Sequence, residues 1–232
     1  MLKSIAAIFI CMGLILAAPA FAVDGQILIN QSTVMASGGF PYKITQPGSY
    51  KLSGNLVVPA NTDGIDITTS DVSIDLNGFK ISGPVTCTGY GSSISCNPSF
   101  ISSNGINAVY NATVLLSDIT VRNGFVTGFG TGVGLNSNDS LIEEIHVTSN
   151  VSGIYMGSGV VRRNIASRNL AAGITAWNAT VVDNSAQNNG GAGLNGIRIT
   201  YGGNVFVGNG TSHPTVGVAV SHGNNLCDDV AC

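Results

Sequence analysis

The second half of the chain repeats at intervals of about twenty residues: a glycine followed by an aliphatic side chain recurs at Gly153-Ile154, Gly173-Ile174 and Gly193-Leu194. Asparagines travel with it in pairs, Asn164 with Asn169, Asn184 with Asn189, and Asn204 with Asn209. A unit this short cannot enclose a core by itself. Each must stack on the next so that neighbours share one interior, which constrains the chain to a solenoid.

The same dipeptide is found earlier, at Gly64-Ile65, Gly105-Ile106 and Gly132-Val133, and later at Gly217-Val218, with intervals of 41, 27, 21, 20, 20 and 24 residues. Seven dipeptides predict about seven coils. The two long intervals read as insertions. Thr86 to Asn104, rich in Gly and Ser and holding Cys87 and Cys96, is the clearest, a loop projecting from one coil; two coils would also fill the 41-residue interval.

Within a period the apolar spacing is two. Val72, Ile74 and Leu76 alternate with Ser73 and Asp75; Ile145 and Val147 flank His146; Ile65 and Ile67, Val133 and Leu135, and Ile154 and Met156 follow the glycines. This alternation marks strands with one face inward. Short strands and turns filling about twenty residues describe one coil of a parallel β-helix, so the predicted class is all-β. The patterns of leucine-rich repeats and calcium-binding nonapeptide arrays are absent.

Only 9% of residues are charged, while 44% are hydrophobic, enough to build a core rather than a disordered chain. The 31 glycines, with many asparagines, tolerate left-handed backbone and read as turn formers. A net charge of −3 without a basic patch excludes nucleic acid and anionic membrane as partners.

Residues 1–22 have the form of a secretory signal peptide: Lys3, an apolar run from Ile5 to Leu16, and the cleavage pattern Ala20-Phe21-Ala22. The expected address is secreted, periplasmic or extracellular, with no membrane span in the mature chain. Four cysteines would then remain, and an even count in an exported chain predicts two disulfides. Of three connectivities, Cys87–Cys96 with Cys227–Cys232 is preferred, because each pair brackets a short loop. Residues 23–60, broken by Gly38-Gly39, Pro41, Pro47-Gly48 and Pro59, read as an N-terminal cap; 61–222 as the β-helix, with its insertion at 86–104; and 223–232 as a disulfide-closed end.

Asp71-Val72-Ser73-Ile74-Asp75-Leu76-Asn77-Gly78-Phe79-Lys80-Ile81-Ser82-Gly83 resembles the opening coil of right-handed parallel β-helix proteins of the pectin-lyase-like superfamily. Ile119-Thr120-Val121-Arg122-Asn123-Gly124-Phe125 is similar to the next coil of such proteins, and the resemblance extends over roughly Thr62 to His222. It implies a right-handed coil and a turn ladder of Asn123, Asn150, Asn169, Asn189 and Asn209. Stacked amides that bond from coil to coil are an independent physical reason for such a column. A second column, Asp118, Glu144, Asn164, Asn184 and Asn204, reads either as another ladder or as an exposed polar strip.

The superfamily includes lyases, hydrolases and adhesins, so the resemblance leaves activity open. A lyase would need carboxylates for calcium and a basic group to remove a proton. Asp118, Glu144, His146 and Arg163, with Glu143 and Arg162 nearby, are the catalytic candidates; the alternative is a salt-bridged surface patch. Fragments like polygalacturonase signatures, such as Asn61-Thr62-Asp63 and Ser221-His222-Gly223, stand in the wrong order. Tyr155 and Trp177, 22 residues apart, would be near neighbours and suit stacking on a sugar ring. The expected function is therefore a monomeric, non-catalytic module without metal or cofactor that binds extracellular polysaccharide or a cell-surface component. The alternative is a carbohydrate-active enzyme, lyase or hydrolase, acting on uronic-acid-rich polysaccharide, and calcium enters only with that alternative.

Overall fold

The computed structural model describes residues 25–99, 101–109, 115–211, 213–228 and 230–232. The signal-peptide expectation lies outside the described residues. The chain winds as a parallel β-solenoid whose coils traverse three walls. The first wall runs from Tyr42–Ile44 through Ile65–Ile67, Asn104–Ala108, Thr131–Leu135, Ser152–Met156, Ile174–Trp177 and Leu194–Ile197 to Thr215–Val216. The second runs from Gln26–Ile29, Gly48–Leu52 and Val72–Asp75 to Ala219–Ser221. The strands Ile119–Thr127 and Ser140–Thr148 bend around a corner and continue into the third wall, which includes Lys80–Ser82, Ile165–Ser167, Ser185–Gln187 and Val205–Val207.

The second wall is nine parallel strands deep, so the stack has about nine coils where the glycine dipeptides predict seven. The dipeptide does not mark the earliest coils. Gln26–Ile29 and Gly48–Leu52 nevertheless pair in register with each other and with Val72–Asp75. Residues 25–60 thus supply strands to the stack as well as closing its end. Closure comes from the helix Gln31–Ala36, whose N-cap Asn30 accepts from the Thr33 amide at 3.0 Å and whose Val34 is buried with Ile29 and Leu52.

Alternation places the core as expected. Ile65, Ile106, Val133, Ile154, Ile174 and Leu194 are register partners from coil to coil, each at most 1% exposed. Burying such a side chain stabilises the fold by about 1.5–3 kcal/mol. The direct pairing of Ile65 with Ile106 shows that no coil intervenes in the 41-residue interval.

The corners are built differently from the expectation. They are turned by left-handed residues that are mostly not glycine: Asp118, Asp139, Asn178 and Arg198 at one, Asn123, Glu144, Arg163 and Asp183 at the next, and Ser149, Arg168 and Asn188 at the third, with φ from 46° to 62°. The repeated glycines Gly105, Gly132, Gly153, Gly173 and Gly193 do not adopt positive φ. They are needed for space. A Cβ on Gly173 would lie 2.6 Å from Asn189 Nδ2, and one on Gly153 would lie 2.2 Å from the Gly173 carbonyl oxygen and 2.9 Å from Asn169 Nδ2.

Those amides belong to the first of two buried ladders. In the first, Asn150, Asn169 and Asn189 each donate from Nδ2 to Oδ1 of the next asparagine, at 3.2, 2.9 and 2.9 Å, ending on Asn209. The accepting Oδ1 also takes the backbone N–H of the asparagine above it. The second ladder is Asn164, Asn184, Asn204 and Asn225, with Nδ2 to Oδ1 distances of 3.0, 3.0 and 3.1 Å. In both, the amide also donates to a carbonyl of the preceding coil, as Asn184 does to Val161 at 2.9 Å. The buried amides are thereby satisfied. Asn123 is not a rung. It occupies a left-handed corner position, is exposed, and donates to Asp75 Oδ1 at 3.0 Å. Asp118 and Glu144 are likewise corner residues. The inward positions above Asn164 are Ile145 and Gly124, so the polar column begins only at Asn164.

Both disulfides pair as predicted, Cys87 with Cys96 and Cys227 with Cys232. The first staples the antiparallel hairpin Thr86–Thr88 and Ser95–Asn97. This insertion leaves a single coil, but it does not project outward. It lies along the stack as a strap: both sulfurs sit 3.9 Å from the Asn150 carbonyl oxygen, and the Gly91 amide donates to the Asn188 carbonyl at 2.9 Å. Val85, Ile94 and Cys96 form a second apolar cluster with Val151 and Leu170, and their burial gives the strap its direction. Among the described residues, no helix is long and apolar enough to cross a membrane.

Candidate functional site

The four charged candidates fall on different parts of the surface. Asp118 opens a second-wall segment and accepts from Ser117 Oγ at 2.7 Å. Glu144 stands at that wall's other corner, aligned with Asn123 and Arg163, five residues along and therefore about 16 Å away. His146 lies past the corner on the third wall, where its ring meets Phe125 edge-on at 4.8 Å. The structure brings together only Glu144 and Arg163, whose Nε donates to Glu144 Oε1 at 3.1 Å.

The centre of this neighbourhood is instead Glu143, only 8% exposed, which receives Arg162 Nε at 2.8 Å and an Arg163 terminal nitrogen at 2.9 Å. Asp75, Arg122, Glu143 and Arg162 are register partners down the second wall, a column of alternating sign. Its carboxylates and guanidinium groups face each other. The guanidinium groups are about half exposed, so although Glu143 is buried the pairs are screened by solvent and contribute about 1 kcal/mol each. Among the described residues, no three His, Cys, Asp or Glu side chains are grouped to hold a metal ion.

The aromatic candidates do meet. Tyr155 pairs in register with Thr175, and Trp177 follows two residues later on the same outward face, so the two rings are diagonal neighbours. Their centroids are 6.1 Å apart with planes at 65°. Trp177 is 49% exposed, and burial pushes the Tyr155 phenol up from its ordinary value, keeping it a neutral hydroxyl. Beside Trp177 is a shallow depression of about 240 Å³, lined by Trp177, Asn178, Ile197 and Arg198. The last two of these were not foreseen, yet the repeat points to them: Ile197 is the register partner of Trp177 one twenty-residue period on. Trp177 and Ile197 turn outward because strand alternation sends Ala176 and Gly196 inward.

Nearer the start of the first wall, a second polar group gathers. Asp63 accepts from the Asn104 amide at 2.7 Å and from Asn107 Nδ2 at 3.2 Å. Asp66 beside it has a shielded Oδ1 without a hydrogen-bond partner. Its carboxyl is raised to about 6, first by burial, then by the Asp63 charge and a hydrogen bond with Asp63, against weaker opposing effects of Asn107 and Lys43. No feature of the sequence distinguished this pair.

The fold and its surface define a parallel β-solenoid protein with two local disulfides and an exposed aromatic ledge at Tyr155 and Trp177. Comparison with protein-family models, curated proteins and solved structures finds no match to this chain.

Proposed function

We propose that this is an exported β-helix module, akin to the pectin-lyase-like proteins that its opening coils resemble, which binds an extracellular glycan without transforming it. The observation that carries the reading is the Tyr155–Trp177 ledge: a half-exposed indole held edge-on to a neutral phenol, with Asn178 and Arg198 as hydrogen-bonding neighbours. An indole face covers the apolar face of a sugar ring, and polar neighbours meet its hydroxyls. The separation of Asp118, Glu144 and His146, and the pairing of Glu144 with Arg163, support a role without catalysis. The local disulfides suit an oxidising exterior.

The test is binding of residues 23–232 to a glycan array, followed by titration of the retained glycans against Trp177→Ala. Loss of a buried aromatic anchor costs about 2 kcal/mol or more, roughly thirty-fold in affinity. Retention of no glycan, or equal affinity in the variant, would overturn the reading.

A further inference from the structure

From Asn104 onward the strands of the first wall carry no charged side chain, and most of those facing outward are hydroxyl, amide, aromatic or small. Two of its outward columns precede the one that holds Trp177 and Ile197. One is Ser152, Ala172 and Ala192; the other is Tyr155, Thr175 and Asn195. Between them runs a trough of about 320 Å³, open along the solenoid axis, and no residue lining it is charged. One edge, at Ala171 and Gly191, directly follows Leu170 and Gly190, which lie beneath the strap. At the head stands Tyr155, in edge contact with Trp177.

We infer that the ligand is a neutral, linear glycan lying along the solenoid axis in this trough, between the disulfide strap and the Tyr155–Trp177 ledge. The inference rests on the glycan-binding reading above and adds the class and direction of the ligand. Direction follows from the register. Each coil presents one side chain per column at the interstrand spacing of about 4.8 Å, so a polymer with hydroxyls repeated along its length meets donors and acceptors repeated along the wall. Small side chains at Ala172 and Ala192 let a ring approach the floor, and Thr175 and Asn195 bond hydroxyls beside it. Charge sets the class. A uronate lying here would lose water around each carboxylate and find no cation in the trough lining to replace it, since Arg198 stands past Ile197 at the far corner, which is unfavourable; an uncharged sugar exchanges one set of neutral hydrogen bonds for another.

The experiment is affinity electrophoresis of residues 23–232 through gels containing either uncharged polysaccharides (β-glucan, galactomannan, xylan) or polygalacturonate. Wild type is compared with Thr175→Ala/Asn195→Ala and with Trp177→Ala. Both changes are at outward positions, and equal thermal midpoints serve as the control for folding. The expected result is retardation by at least one uncharged polymer, about ten-fold weaker in the double variant. Retardation by polygalacturonate alone overturns the neutral class and leaves glycan binding standing. Retardation by an uncharged polymer that Trp177→Ala abolishes and the double variant leaves unchanged overturns the trough. No retardation by any polymer overturns both this inference and the reading beneath it.

Discussion

A single methyl group separates the glycine that the repeat requires from the alanine it excludes. At Gly173 a Cβ would stand 2.6 Å from Asn189 Nδ2 and 3.0 Å from the Gly193 carbonyl oxygen, both fixed by the stack. Gly173→Ala is therefore expected to destabilise the protein by about 1–3 kcal/mol, the usual cost of overpacking, read from urea unfolding. Asn188→Gly is the opposite case. Asn188 has φ 57°, a conformation that glycine adopts without strain, so the change should stay within about 1 kcal/mol of wild type. Within the ladder, Asn184→Ala would strip an acceptor from both the backbone N–H and the side-chain amide of Asn164. Two buried orphan donors cost about 3 kcal/mol or more together. Asn209→Ala, at a half-exposed end rung, should cost less because water can replace the lost amide.

Among the elements, the strap and the first-wall carboxyl pair behave most distinctively. Replacing Cys87 and Cys96 by Ser frees a short hairpin whose residues bury Val85 and Ile94 against Val151 and Leu170. A loss of about 2–3 kcal/mol is expected from the cross-link, with faster hydrogen exchange at the Gly91 amide, which bonds to Asn188. The carboxyl pair predicts a pH dependence. Folding raises Asp66 from 3.8 to about 6, so between those values the folded chain holds a proton that the unfolded chain has released. Stability should therefore fall as pH rises from about 4 to about 6 and level off above, and Asp66→Asn should flatten that limb of a thermal-midpoint profile. A wild-type profile that rises over this window would contradict the shared-proton arrangement.

The whole molecule is close to one-dimensional. Each coil touches its neighbours through wall pairing, core columns and ladder rungs that repeat every twenty residues in its later part. Removing residues 174–193, one complete period, joins Gly173 to Leu194 and restores both the aliphatic column and both ladders in register. The shortened chain is expected to give an unchanged β-type circular dichroism spectrum and a single, lower unfolding transition, because it loses one coil interface and keeps the architecture. Deleting ten residues instead would place wall against corner, and a loss of cooperative unfolding is the expected outcome.

The amino-acid sequence by itself determined the solenoid, its alternating core and the local pairing of its cysteines, because these follow from periods of two and twenty residues and from chain distance. It determined most rungs of the ladders too, since Asn recurs with the repeat. It did not show that Asn123 stands at the corner before the one that carries its predicted ladder, where Phe129 holds the position above Asn150, because intervals of unequal length let an Asn be aligned with either corner and no local pattern records which. Tertiary structure alone decided the path of the strap, the alignment of Glu144 with Asn123 rather than Asp118, and the seating of Asp63 against Asn104 and Asn107. Each depends on how one coil is set against the next, and the unequal intervals between repeats in the first half of the chain hide that register until the chain has folded.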